Sequence, residues 1–310
     1  MIFLTNQQKV SHIDYYLKFL PEHISKAIAY AGDGVKKNLT EIRLRADAPL
    51  SLTVNKENIL IDSYGRRADI KSCVNVSRRE LALCVNSLCD GSYHAQVNNI
   101  KNGYIITNEG YRIGVCGDII YSGSDFMIDE ITSVNMRVSR FIYMPDCPLL
   151  DIIKKRGATG ILIYSPPSGG KTTLLRFIAA ALSGGLYGLK KYRTALIDER
   201  RELYIKDKMS GGLLDVFYGY KKSEGIDCAT RTLNPDILIC DEIGGLEDTR
   251  SILSAQNSGV PLIATTHAGS FEQLKRKPGI NLLIENKVFE YIAGISLDEG
   301  NIIKYEINKL

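Results

Sequence analysis

The sequence lacks the cysteine and histidine spacing of a metal site. Its 310 residues include seven scattered cysteines, none in a Cys-x-x-Cys pair, and only four histidines. An odd number of cysteines without metal-ligand spacing indicates free thiols, since disulfides need paired cysteines and an oxidising compartment. We therefore expect reduced cysteines in a reducing compartment.

Long hydrophobic runs are missing as well. No run approaches the ~18 apolar residues that a membrane-spanning helix needs. The first residues, Met1 to Val10, lack the basic start and long apolar core of a signal peptide. We expect a cytoplasmic protein without direct membrane insertion, peripheral at a membrane only through its partners.

The sequence also has no large excess of charge of one sign. The formal net charge is +4, with 24% charged and 45% apolar residues, which is ordinary for a globular protein. So small a charge at this length does not point to nucleic acid as the main partner, and we expect none. A chain of 310 residues can form two domains, each with its own core.

The stretch that carries the chemistry runs from Thr159 to Leu182. It predicts a buried strand from Ile161 to Tyr164, then a Gly/Pro/Ser loop, then a helix that opens at Lys171. This order is typical of a phosphate-binding loop, in which backbone N–H groups and the positive helix end solvate the β- and γ-phosphates. Lys171 would reach those phosphates and the Thr172 hydroxyl would bind Mg²⁺. The predicted nucleotide-binding residues are Pro167, Ser168, Gly169, Gly170, Lys171, Thr172 and Thr173.

One residue departs from the usual Gly-x-x-x-x-Gly-Lys-Thr pattern, because Ser165 stands in place of the first glycine. A residue before proline is restricted to extended backbone, and Ser165 precedes Pro166 and Pro167. We therefore expect the chain to pass from the strand into the loop in extended conformation, so that no glycine is needed at this position. Gly169 and Gly170 remain where the backbone must approach phosphate.

Residues 1–143 are predicted to form an α+β domain. The apolar spacing from Ser11 to Ala31 predicts two helices divided at Pro21, with Pro21 as the first residue of the second. A turn is expected at Gly32–Gly34, and a capping box at Ser77–Glu80 starts a further helix. Strands are predicted at 41–45, 50–54, 58–61 and 131–141, with a hairpin over 103–117.

Residues 144–148 are a predicted linker between two prolines, and residues 149–310 form the predicted second domain. After a short helix at 149–156, buried apolar runs alternate with helical segments. This pattern predicts an α/β fold with a mostly parallel sheet and helices on both faces. A hairpin from Phe289 to Ile307 is expected at the sheet edge, and Gly184–Gly185 should cap the helix of the phosphate loop.

Three apolar runs beyond the phosphate loop end in polar residues: Asp198–Glu199, Asp241–Glu242 and His267. Ligands of open α/β sheets lie beyond the carboxyl ends of the strands, so these residues are expected near the phosphates. Asp241 would hold Mg²⁺ through its water shell, and Glu242 would polarise the attacking water. A buried strand that merely ends in surface acids is the alternative.

The remaining candidate residues are less specific. Asp198 and Glu199 are candidates for base or metal support, with Arg200 and Arg201 neutralising phosphate or pairing with a neighbouring subunit, or all are solvated charges. His267 either senses the γ-phosphate or is structural. Arg137 and Arg140 suit a phosphate clamp or a surface strand equally. In a regular strand one face carries the side chains of Val134, Met136, Val138 and Arg140. The side chain of Arg137 then lies on the other face.

Together these motifs resemble the stage III sporulation protein AA family of endospore-forming bacteria. They are Glu41-Ile-Arg-Leu-Arg with Pro49-Leu, Arg112-Ile-Gly-Val-Cys-Gly, Asn135-Met-Arg-Val-Ser-Arg, Ser165-Pro-Pro-Ser-Gly-Gly-Lys-Thr-Thr, Ile197-Asp-Glu-Arg, Asn234-Pro-Asp-Ile-Leu-Ile-Cys-Asp-Glu-Ile-Gly and Leu262-Ile-Ala-Thr-Thr-His. The family is similar to the hexameric ATPases of type II and type IV secretion and of type IV pili. The resemblance extends from about residue 40 to the end of the chain.

The resemblance implies a smaller N-terminal α+β domain before a RecA-like P-loop ATPase domain, and assembly into a homo-hexameric ring. It implies ATP and Mg²⁺ as cofactors. Asp198–Glu199 would match the acidic box of those ATPases and His267 their histidine box. Arg137 and Arg140 would match arginines that approach the γ-phosphate. The tetracysteine module of some secretion ATPases is absent, so no zinc is expected.

The resemblance also implies a role: powering or gating the channel between mother cell and forespore, with membrane-embedded channel components as partners. Asp241–Glu242 stands where the secretion ATPases have Gly-Glu, which leaves the base open between Glu199 and Glu242. The alternatives are a nucleic-acid translocase on the same core and a nucleotide-dependent assembly scaffold with little turnover.

Overall fold

The computed structural model describes residues 12–123, 125–138, 141–298 and 302–310. Residues 1–10, in which we expect no signal peptide, and Arg140 lie outside those ranges. The chain forms two compact units, Met1–Arg140 and Phe141–Leu310. The predicted linker, residues 144–148, lies at the start of the second unit.

The first unit is built on a six-stranded antiparallel sheet in the order β4-β3-β1-β8-β7-β6, with β2 and β5 paired separately. Its core includes Ile42, Leu52, Val134 and Met136, all fully buried. The elements are α1 His12–Leu17, α2 Glu22–Tyr30, α3 Asp33–Asn38, β1 Leu39–Arg45, β2 Ala48–Pro49, β3 Ser51–Val54, β4 Glu57–Leu60, β5 Asn75–Val76, α4 Arg78–Leu88, α5 Tyr93–Lys101, β6 Tyr104–Ile106, β7 Arg112–Ser122 and β8 Asp125–Arg137.

Several predictions for this unit are confirmed. The capping box at the start of α4 is present: the Ser77 hydroxyl accepts from the Glu80 N–H, and the Glu80 carboxylate accepts from the Ser77 N–H. Val134 and Met136 are buried whereas Arg137 is exposed, so the alternation predicted for β8 holds at these residues. This pattern directs Arg137 away from the core of its own unit.

Other predictions for this unit are wrong. The expected turn at Gly32–Gly34 is instead the start of α3, because Gly32 takes an extended N-cap conformation and its carbonyl accepts from the Lys36 N–H. Pro21 is the N-cap residue of α2 and not its first residue. Helix α5 was not predicted. Strand β8 begins at Asp125, six positions before the predicted start, because it pairs with the whole length of β7.

The second unit is built on a seven-stranded sheet in the order β11-β10-β12-β13-β9-β14-β15. All neighbouring strands are parallel except β14 and β15. The elements are α6 Pro148–Arg156, β9 Ile161–Ser165, α7 Lys171–Gly184, β10 Thr194–Asp198, α8 Lys206–Met209, β11 Leu214–Tyr218, α9 Lys222–Thr232, β12 Ile237–Cys240, α10 Leu246–Gln256, β13 Leu262–His267, α11 Phe271–Lys275, α12 Pro278–Glu285, β14 Tyr291–Leu297 and β15 Ile303–Lys309.

The central strands are apolar because both faces of the sheet are covered. Ile161 and Ile163 of β9 pack into the cluster that contains α6 and α7, while Leu162 packs on the opposite side with α9, α10 and α12. The predicted mostly parallel α/β sheet is confirmed, as is the antiparallel hairpin at its edge. Gly185 ends α7 in the left-handed conformation, as expected. No helix among the described residues is long and apolar enough to span a membrane.

The parallel direction of the strands brings the predicted site residues to one edge of the sheet. Strands β10, β12, β13 and β9 are successive parallel neighbours, so their carboxyl ends lie side by side. Ser165, Asp198, Cys240 and His267 are the last residues of these strands. Strand β11, which was not predicted, extends the sheet beyond β10.

Candidate active site

The loop between β9 and α7 has a backbone that suits close approach of an anion. Ser168 and Gly170 have φ angles of 60° and 90°, in the left-handed region. A Cβ atom on Gly169 would lie 2.3 Å from the Ser165 Oγ, so only glycine fits there. Among the described residues no side chain caps the N terminus of α7. Its first N–H groups and the positive helix end therefore fit a phosphate.

Lys171 is buried, with 4% of its surface exposed, and its ammonium is held inside the loop. It donates to the Ser165 carbonyl at 3.1 Å, to the Ser165 Oγ at 3.0 Å and to the Pro166 carbonyl at 3.2 Å. Burial lowers the pKa of Lys171. The loop thus supplies internal acceptors for the cation that we expect to bind phosphate.

His267 connects Lys171 to Glu242. The Lys171 Nζ lies 3.0 Å from the His267 Nδ1, and the His267 Nε2 lies 2.9 Å from the Glu242 Oε1. Because an ammonium only donates, Nδ1 is the acceptor in the first contact. The proton of a neutral imidazole is then on Nε2, which donates to the carboxylate.

Ser165 is the last residue of β9, so the extended conformation predicted from Pro166 is confirmed. The side chain has a further role that was not predicted. Its hydroxyl donates to the Pro166 carbonyl at 2.8 Å and accepts from Lys171. The residue that replaces the usual glycine thus positions the lysine and also limits what fits at Gly169.

We expect Gly169→Ala to weaken nucleotide binding at least about tenfold, since its Cβ would overlap Ser165. Ser165→Gly in the same chain removes both the Oγ and the Cβ, the two closest atoms, and leaves the Pro166 carbonyl at 3.1 Å. The double variant should bind a fluorescent ADP analogue about as well as Ser165→Gly alone, which measures the cost of the lost Lys171 acceptor. Gly211→Ala is the control, because no atom lies within 4 Å of its added Cβ. If the double variant binds clearly more weakly than Ser165→Gly, Ser165 is not the obstacle at Gly169.

A hydroxyl and a carboxylate that suit Mg²⁺ lie together beside the loop. The Thr172 Oγ donates to the Asp241 Oδ2 at 2.8 Å. The other Asp241 oxygen accepts from the Thr265 hydroxyl and from the Glu242 N–H. Oxygen ligands of this kind, few in number and next to a phosphate site, fit the way proteins hold Mg²⁺.

Glu242 is held in a defined position by its backbone and its side chain. Its φ of 51° is unusual for a residue with a side chain, and its N–H donates to the Thr265 Oγ at 2.9 Å. One carboxylate oxygen accepts from His267 and the other pairs with Arg200 at 2.7 Å. Burial raises the pKa of Glu242, but the His267 hydrogen bond and the Arg200 charge outweigh it and hold that pKa below its usual value.

The two acids after β10 have different environments. The Asp198 carboxylate is 2% exposed and accepts from the backbone N–H groups of residues 202, 203 and 204. Burial raises the pKa of Asp198, and these hydrogen bonds oppose the rise. Glu199 is about one-third exposed and pairs with Lys222. Glu199 and Glu242 line the same cleft, together with Arg200 and Lys222.

The structure brings most of the predicted site residues together. Lys171, Thr172, Asp241, Glu242 and His267 form a network of direct contacts, and Glu199 lines the same cleft as Asp241 and Glu242. Arg137 belongs to the first unit, where its carbonyl accepts from the Tyr16 hydroxyl at 2.9 Å. Arg140 is outside the described residues.

Sequence reasoning missed three residues at this site. Thr265 fixes the turn after β12, and it lies two positions before His267 on the same face of β13, so strand alternation was an available signal. Lys222, which neutralises Glu199, belongs to none of the sequence motifs. Arg176 of α7 is buried, and nothing in the sequence around it indicated a buried guanidinium.

The fold is shared with solved structures of an ATPase and of a pilus motor. The Legionella pneumophila ATPase DotB superposes with a TM-score of 0.60 at 16% identity, over 93% of this chain and 79% of that chain. The pilus retraction motor PilT with bound ADP gives 0.60 at 17% identity, over 89% and 81%. Identities this low show a common α/β fold and no more.

The chain belongs to the family described as Sporulation stage III, protein AA, whose model matches residues 14–302. Stage III sporulation protein AA of Bacillus subtilis (strain 168) is 28% identical over 287 residues, 91% of this chain and 90% of that protein. Protein SEEDLING PLASTID DEVELOPMENT 1 of Arabidopsis thaliana is 24% identical over 193 residues, 58% of this chain and 26% of that protein. The family resemblance inferred from the motifs is confirmed.

Proposed function

We propose that this protein is a Mg²⁺-dependent ATPase of the secretion type, with a RecA-like P-loop domain. The observation that carries the proposal is the contact network at the carboxyl ends of the parallel strands. It joins the phosphate-loop lysine to an ionised acid through His267, and places the Thr172–Asp241 pair beside them. Positioning and charge stabilisation are the main requirements of phosphoryl transfer, and this network provides for both.

The phosphates of ATP would bind to the N–H groups at the start of α7. Lys171 would exchange its internal acceptors, Ser165 and Pro166, for phosphate oxygens. Thr172 and Asp241 would hold Mg²⁺, which neutralises the developing charge on the phosphates when bound. Gly169 and Gly170 would let the backbone approach these groups closely.

We assign Glu242 as the base that polarises the attacking water. Its carboxylate is directed by His267, which also contacts Lys171, so the acid is fixed relative to the phosphate loop. Glu199 is neutralised by Lys222, whose side chain is mostly buried, and is a weaker candidate. Arg200 pairs with Glu242 and would have to release the outer carboxylate oxygen before the acid accepts a proton.

The biological role that we propose rests on the family. The ATPase would assemble as a homo-hexamer and power or gate the channel between mother cell and forespore, together with membrane-embedded channel components. It would act in the cytoplasm of the mother cell, peripheral at the membrane. Arg137 and Arg140 of the first unit are proposed to approach the γ-phosphate.

The proposal predicts that the protein releases phosphate from ATP only with Mg²⁺, and that chelation with EDTA abolishes turnover reversibly. Thr172→Val should raise the Mg²⁺ concentration for half-maximal turnover by about tenfold or more, since it removes a direct ligand. Thr230→Val is the control, because that hydroxyl bonds to the Ile226 and Asp227 carbonyls of its own helix, α9. Absence of Mg²⁺-dependent turnover in the assembled wild-type protein would contradict the proposal.

A further inference from the structure

A buried arginine of α7 reaches the turn that follows β10. Arg176 lies five positions after Lys171 on the same helix and is 6% exposed. Its Nε donates to the Leu203 carbonyl at 3.2 Å, and its Nη2 donates to the Glu202 carbonyl. The helix that begins at the phosphate loop is therefore bonded directly to this turn.

Asp198 binds the same peptide units through their N–H groups, whereas Arg176 binds them through their carbonyls. Its Oδ1 accepts from the Glu202 N–H at 2.8 Å, and its Oδ2 accepts from the N–H groups of Leu203 at 3.1 Å and Tyr204 at 3.0 Å. Glu202 and Leu203 thus donate to the acid and accept from Arg176. A buried charge is costly unless it is paired and hydrogen-bonded, and here two opposite charges are satisfied through one turn.

The turn contributes Glu199 and Arg200 to the cleft that Glu242 also lines. Glu199 and Arg200 come just before the held peptides and pair with Lys222 and Glu242. Arg201 has a φ of 56°, and its N–H donates to the Asp198 carbonyl at 3.2 Å. A residue other than glycine keeps a left-handed backbone conformation where the surrounding structure holds it in place.

We propose that Arg176 and Asp198 are positioning residues that tie the turn of residues 199–204 to α7. Phosphate bound at the start of α7 and the placement of Glu199 and Arg200 are then coupled through this pair. The structural coupling does not depend on the proposed ATPase function. Its effect on catalysis rests on that proposed function. Arginine suits the task because its planar fork serves two carbonyls at once, which a lysine ammonium does less well.

Hydrogen exchange of the full-length protein tests the structural part without any hydrolysis. The amides of Glu202, Leu203 and Tyr204 should be protected in the wild type, and at least about tenfold faster in Arg176→Met and Asp198→Asn. Addition of MgADP should slow exchange at these amides in the wild type but not in Arg176→Met. Arg193→Met is the control, because that arginine pairs with Asp236 near the amino ends of β10 and β12. Unchanged exchange in both variants would overturn the proposal.

The double variant Arg176→Met/Asp198→Asn separates positioning from folding. Each single variant leaves one buried charge without its partner and should lower the melting temperature, whereas the double variant removes both charges and should recover part of the loss. If ATP turnover of the wild type is established, kcat should stay reduced by about tenfold or more in the double variant, with KM little changed. Recovery of kcat together with melting temperature would show a structural role only. If the wild type has no turnover, the ATPase proposal fails while the exchange result still decides the coupling.

Discussion

Replacing Glu242 by glutamine is expected to lower kcat for ATP hydrolysis by about 10²- to 10⁴-fold, with nucleotide affinity nearly unchanged. Glutamine keeps the size of the side chain, and its carbonyl oxygen can still accept from the His267 Nε2. The amide cannot take a proton from water. Phosphate release under saturating MgATP measures kcat, and titration with a fluorescent ADP analogue measures affinity.

Glu199→Gln is the matched comparison because it makes the same chemical change at another acid of the same cleft. It removes the charge that pairs with Lys222, so we expect some loss of position at the start of α9 but a fall in kcat of only about tenfold or less. The assignment is reversed if Glu199→Gln abolishes turnover while Glu242→Gln retains it. Accumulation of bound, unhydrolysed ATP in one variant alone would identify the base independently.

Lys171→Ala is expected to weaken MgATP binding by roughly 10- to 150-fold, the amount expected for a lost hydrogen bond to a charged group. The variant should also lose turnover. Its fold should remain, because the desolvation cost of the buried ammonium is relieved and offsets the hydrogen bonds lost to Ser165 and Pro166.

Thermal unfolding with and without MgATP measures both effects. A ligand that binds only the folded state raises the melting temperature according to its concentration relative to Kd. The wild type should show this rise, and Lys171→Ala should show little at the same concentration. Lys154→Ala is the control, since that lysine of α6 forms an ion pair at the surface with Asp151 at 3.2 Å. An undiminished MgATP shift in Lys171→Ala would show that the nucleotide does not use the loop.

The phosphate loop was predictable because its signals are local. Pro166 restricts the backbone conformation of Ser165 in any fold, and the glycines before Lys171 indicate a loop independently of the rest of the sequence. The apolar runs before Asp198, Asp241 and His267 likewise identify buried strands. The convergence of their ends follows from a general property of parallel sheets, so it did not require the strand order.

The pairing of the site acids was not predictable in the same way. Arg200 reaches Glu242 because β10 and β12 are neighbours, and Lys222 reaches Glu199 because α9 begins beside the turn after β10. Both contacts depend on strand order, which the spacing of residues does not contain. Strand β11 was missed because an edge strand is only partly buried and lacks a continuous apolar run. The helix after Gly32 was missed because glycine there serves as an N-cap and not as a turn.

The internal partners of Lys171 bear on how a nucleotide would enter and leave. Because the ammonium is already saturated by Ser165, Pro166 and His267, binding is an exchange of acceptors and not the filling of an unpaired site. The conformational entropy of the loop is then lost on folding and not at each encounter. If the protein cycles between bound and free states, product release would leave the phosphate loop in the conformation that binds the next nucleotide.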